Sequence, residues 1–130
     1  MNYPGLYTEI GRLAYAIASA DGVIHSSEVE KICDFIGREI DQIGADGEIS
    51  EEAILHAVFE FNKLRNENAS AKDAYLGFLN FIDVHPEIFT HRIKNVCINI
   101  SLRIAAAHEG INETESALID KLKKKLDGID

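Results

Sequence analysis

The sequence predicts an all-α domain, and three observations carry that expectation. Apolar residues recur at helical spacing nearly throughout the 130 residues, no segment alternates with period two for long enough to make a strand, and only two prolines interrupt the pattern. A chain of this length forms one domain, residues 1–130, and can bury roughly two-thirds of its unfolded surface without disulfide or metal staples. The expected architecture is a compact bundle of about six to seven helices in which a helix-loop-helix unit occurs twice.

Leu6, Ile10, Leu13, Ile17 and Ala20 form the stripe of a first helix over 6–20. Val29, Ile32, Cys33, Ile36, Ile40 and Ile43 form a second stripe, opened by Ser27 with Glu30 three residues on, a capping box. "GADGEIS" breaks the chain, and Ser50 is placed to cap a third helix carrying Ile54, Leu55, Val58, Phe59 and Leu64. Ser70 with Asp73 opens a fourth, "AKDAYLGFLNFIDV", apolar on most sides and so expected to be the central buried helix. Pro86 starts a short turn, because its fixed φ suits a first helical position. A fifth helix carries Ile93, Val96, Cys97, Ile100, Ile104 and Ala107, and a last one over 113–127 carries Leu118, Ile119, Leu122 and Leu126.

The composition excludes some functions. Apolar content of 46% and charged content of 27% are those of an ordinary globular domain, but the net charge of −9 opposes nucleic-acid binding, which requires a basic face. The basic run "KLKKK" at 121–125 ends a helix and complements the negative end of its dipole. "MNYPGLYTEI" lacks the basic and apolar regions of a signal peptide, and "VCINISLRIAAA" is too short and too interrupted to span a bilayer. Cys33 and Cys97 sit in apolar stripes and read as buried thiols, so a cytoplasmic location is expected.

The two ends repeat. Residues 17–32, "IASADGVIHSSEVEKI", lie without gaps on 104–119, "IAAAHEGINETESALI", with six identities in sixteen. The alignment pairs Asp21 with His108 and Glu28 with Glu115. In each half the first residue ends a helix and the second opens the next, with Gly22 or Gly110 permitting a tight bend. Two readings of these positions stand. Asn112 with Glu115 is a capping box, Glu28 gains from a helix dipole, and Asp21-Gly22 is a helix stop. Alternatively the bends converge side chains on a divalent metal. Asp21, Gly22, Ile24 and Glu28 match the later positions of a calcium loop, but Ile17 and Ser19 stand where its first carboxylates would be. "ADGEISEEA" at 45–53 copies the motif, yet the seventh residue after Asp46 is Ala53, so it reads as a capped turn.

At Ala20, Asp21, Gly22, Ile24 and Glu28 the chain resembles the TerB family, the small helical proteins associated with tellurite resistance, and the TerB-like domain of some membrane-anchored co-chaperones. "AAHEGINETE" occupies the place of the family's second copy. The resemblance implies a pseudo-symmetric helical bundle and a divalent metal held by Asp21, Glu28, His108 and Glu115. His108, followed by Glu109, departs from the aspartate and glycine of the pattern and turns the preference from calcium towards zinc, manganese, nickel or iron. Binding through it should weaken as pH falls through roughly 6.5.

The expected function is therefore a non-enzymatic, metal-binding stress protein of the tellurite-resistance type. The alternative is a helical interaction module without metal, docking a protein partner through an apolar patch around Tyr3, Leu6 and Tyr7, in a complex that can sit peripherally at a membrane. Catalysis has little support. His25, His56, His85, His91 and His108 show no HExxH spacing, and neither a phosphate-cradling glycine loop nor a nucleophile elbow is present.

Overall fold

The computed structural model describes residues 4–20, 24–41, 47–107 and 113–128. They form six α-helices: α1 (Pro4–Ala18), α2 (Ser26–Asp41), α3 (Gly47–Asn66), α4 (Ala71–Val84), α5 (His91–Ala106) and α6 (Glu113–Asp127), with a single 3-10 turn at Pro86–Ile88. Among the described residues there is no strand, and no helix is long and apolar enough to cross a membrane.

The centre of the bundle is α1, not α4. It packs on α3, α4 and α5 and touches α2, whereas α5 joins α1 to α2 and α6. Leu6, Ile10, Leu13 and Ile17 are buried as the stripe predicts, but Tyr7, Ala14, Tyr15, Ala16 and Ala18 are buried with them. A helix ringed by partners buries every face, and small residues at 14, 16 and 18 let those partners close in. The α4 helix instead leaves Leu76 and Val84 exposed, so its apolar content overstated its depth. Burial of Leu6 and Tyr7 also removes the patch expected at the N-terminal end; Tyr3 lies outside the described residues.

The largest departure is in α3. Its inward face is Ala53, Ala57, Glu60 and Phe61, flanked by half-buried Ile54, Val58 and Leu64, while Leu55 and Phe59 point outward. The cause is a close crossing with α1. A Cβ added at Gly11 would lie 2.9 Å from the carbonyl carbon of Ala57 and 3.0 Å from its Cα. Only glycine against alanine permits that separation, so the small-residue stripe of α3 faces inward and its bulky residues are turned away.

Local chemistry fixes the ends of several elements. Asn68, at φ 53°, ends α3 in the left-handed region. The Ala69 N–H then donates to Leu64 C=O at 3.0 Å and the Asn68 N–H to Arg65 C=O at 3.2 Å, a Schellman motif with asparagine in glycine's usual place. Ser70 caps α4 as expected, its Oγ accepting from the Asp73 N–H at 3.3 Å, and Thr90 caps α5 in the same way through Ile93. Pro86 opens the 3-10 turn. The third helix begins at Gly47, so Ser50 lies inside it; Ile43 and Asp46 are outside the described residues. Two tyrosine hydroxyls tie layers together: Tyr15 donates to Ala69 C=O at 2.7 Å and Tyr75 to Leu118 C=O at 2.8 Å.

Candidate functional site

Of the four predicted metal ligands, Glu28 and Glu115 lie in described helices, and Asp21 and His108 lie outside the described residues. Glu28 sits in the first turn of α2, where its Oε1 accepts from the His25 N–H at 3.0 Å while its own N–H donates to His25 C=O at 2.9 Å. That is the reach-back half of a capping box, two residues earlier than the expected Ser27–Glu30 pairing. Glu115 is the third residue of α6 and is fully buried. Both carboxylates occupy first turns, where a negative charge is stabilised by about 0.3–1 kcal/mol. Among the described residues, no group of three or more His, Cys, Asp or Glu side chains is placed to hold a metal ion.

Two other charged clusters are buried, and neither was visible as a motif. Arg12 of α1 reaches Glu9 at 3.0 Å and Glu60 of α3 at 3.1 Å, so one guanidinium serves two nearly buried carboxylates. Gly77 of α4 leaves room for it, since a Cβ there would come within 3.1 Å of Arg12 Nη1. Burial raises the Glu9 carboxyl above its usual range; Arg12 opposes that rise and the Glu60 charge adds to it. In the second cluster Glu39 of α2 is only 1% exposed, and its Oε2 meets Arg103 Nε of α5 at 3.3 Å. Its Oε1 is buried without a hydrogen-bond partner among the described residues. Arg103 is 47% exposed, so the pair is a buried anion held by a half-solvated cation. Both clusters join helices and read as ties within the bundle.

Apart from Val84 at the end of α4, the large exposed apolar side chains among the described residues fall in two places. Leu55 and Phe59, each 69% exposed, stand one turn apart on α3 and are flanked by Glu52, His56 and Val58. Between α4 and α6 a groove of about 360 Å³ is lined by Tyr75, Leu76, Leu79 and Leu118, with Lys72 and Lys121 on its rim. The Tyr75 hydroxyl there is pushed up to about 12 by burial.

The thiols are free and unsuited to nucleophilic work. Burial pushes Cys97 up to about 12, and it raises half-buried Cys33 against a smaller lowering by Arg65. His25, His56 and His91 are exposed and His85 is partly so. His56 Nε2 lies 3.9 Å from Glu52 Oε1 and His85 Nδ1 lies 3.5 Å from Glu87 Oε1, both at the surface.

No family model, curated protein or solved structure matches the chain. The functional reading therefore rests on the chain's own surface. The sequence did hold a signal for the α3 face: Ala53, Ala57, Glu60 and Phe61 repeat at helical spacing, and Leu55 and Phe59 lie on the opposite side. Counting hydrophobicity alone chooses the wrong side.

Proposed function

We propose that the protein is a non-enzymatic helical interaction module that docks a protein partner through the outer face of α3. One observation carries this reading: Leu55 and Phe59 are exposed side by side on a helix whose inner face is already filled. Leaving a large apolar side chain in water forgoes about 1.5–3 kcal/mol, and adjacent residues form a patch where scattered ones would need no explanation. Replacing both, Leu55→Ser with Phe59→Ser, should abolish partner binding and leave Tm within about 2 °C, because surface changes outside the core are nearly neutral. Affinity for a co-purified partner that crosslinks to α3, measured before and after the change, provides the test. Full affinity in the double variant would overturn the reading.

A second reading is favoured by Glu115, a carboxylate fully buried at the start of α6. Here the α1–α2 unit is duplicated in α5–α6, and the two bends hold a divalent metal through Asp21, Glu28, His108 and Glu115, as in a TerB-like stress protein of the tellurite-resistance type. Manganese or zinc at a hundredfold excess over Kd should then stabilise the fold by about 2.7 kcal/mol, read as a rise in Tm. Asp21→Ala with Glu28→Ala should remove that rise; an unchanged response would dispose of the site.

A further inference from the structure

We infer that the occupant of the α3 face is a second copy of this chain, seated antiparallel about a two-fold axis that runs between the two α3 helices, level with the Ala57–Val58 junction. The inference rests on α3's outer face being a docking surface and goes beyond it by naming the partner.

The charges of α3 are in register for a second copy. Glu52 and Lys63 are both exposed and stand eleven positions apart (63 − 52). At 3.6 residues per turn that is about three turns, so both lie on one edge of the outer face. Their midpoint, 57.5, nearly coincides with 57, the midpoint of Leu55 and Phe59. A half-turn about an axis beside the helix at this level sets the α3 of the second copy antiparallel to the first, C-terminal end against N-terminal end. Glu52 then faces Lys63 of the second copy, Lys63 faces its Glu52, and Phe59 falls against Leu55 and His56. An isologous contact demands such a self-complementary surface.

The rest of the helix agrees in sign. Glu51 and Glu52 occupy the N-terminal half of α3, and Lys63 and Arg65 its last turn. Parallel copies would set like charges together, whereas antiparallel copies alternate them and also oppose the helix dipoles. The net charge of −9 works against self-association, but at 0.15 M salt the Debye length is about 8 Å and general repulsion is screened more than close pairs are. One pair of helices about 30 Å long covers less than the roughly 1,200 Å² of a standard interface. The dimer is accordingly weak, with Kd in the micromolar range.

Sedimentation equilibrium of the whole chain, from about 10 μM to 1 mM in 0.15 M salt, tests this. The 14.4 kDa monomer should be in reversible equilibrium with a dimer. Glu52→Lys and Lys63→Glu should each weaken it about tenfold, since every swap acts twice across the axis. Glu52→Lys reduces the net negative charge from −9 to −7 (−9 + 2), so general repulsion alone would strengthen association; a loss must come from register. Mixing the two variants should restore a heterodimer, because one then presents two lysines to two glutamates of the other. The combined variant, Glu52→Lys with Lys63→Glu, should associate like the original. Circular dichroism confirms that each variant is folded. A chain still monomeric at 1 mM, or a dimer indifferent to both swaps, overturns the inference. If that monomer nevertheless loses another protein on Leu55→Ser with Phe59→Ser, the docking surface stands and only the second copy is refuted. If no partner depends on α3, both fail.

Discussion

Gly11→Ala should lower stability by about 3 kcal/mol or more, although alanine is normally the better helix former. The added methyl would meet the backbone of Ala57, with the carbonyl carbon at 2.9 Å and Cα at 3.0 Å. Backbone cannot turn aside as a side-chain tip can, so α1 and α3 must separate along their whole contact. Because α1 is the element on which α3, α4 and α5 all pack, that separation spreads through the core. Gly37→Ala is the control. Its added methyl meets only Ile54 side-chain carbons at 3.8 Å, an ordinary contact, and should stabilise by up to about 1 kcal/mol through helix propensity. Thermal unfolding should therefore show two glycine-to-alanine changes of opposite sign. A Gly11→Ala protein with unaltered Tm would mean that the helices are further apart than described.

The second large effect is expected at Glu39 and Arg103. Removing the arginine leaves a carboxylate that is 1% exposed, with one oxygen already lacking a hydrogen-bond partner among the described residues. Breaking a buried pair from one side costs about 3–5 kcal/mol, and the partial exposure of Arg103 places this case towards the lower end. Arg103→Met should thus destabilise substantially. Adding Glu39→Met should then recover most of the loss, because an apolar pair in the same volume carries no desolvation cost. Urea unfolding of the two singles and the double closes the cycle. A double variant less stable than Arg103→Met alone would show that Glu39 has another essential contact.

How much of this was legible in the sequence differed by element. The fifth and sixth helices were read correctly because Ile, Val, Leu and Cys dominate their inward faces, with buried Ser101 and Glu115 as the exceptions. The Ser70 cap and the Pro86 turn were equally plain, each arising from one residue's backbone chemistry. The third helix misled because its contact with α1 selects for small size, and a scale that rewards Leu55 and Phe59 over Ala53 and Ala57 inverts the face. The fourth helix misled in a related way: its apolar content marks an exposed groove as well as core. Glu39 could have been noticed, standing seven residues after Ile32 and three after Ile36 on the buried stripe, but nothing local identifies Arg103 as its partner. Of the predicted ligands, Glu28 and Glu115 lie in the first turns of their helices, where capping and coordination ask for the same residue type. Sequence alone could not separate those roles.

The position of α1 has a consequence for how the chain is made. Its neighbours in the finished bundle include α5, which ends at Ala106, so α1 leaves the ribosome about 90 residues before that surface exists. At 5–20 residues per second this is a wait of roughly 4–18 s, and although α3 is complete about 50 residues after α1, the side of α1 that meets α5 stays uncovered throughout. That side of α1 is the part of a newly made chain that needs shelter longest.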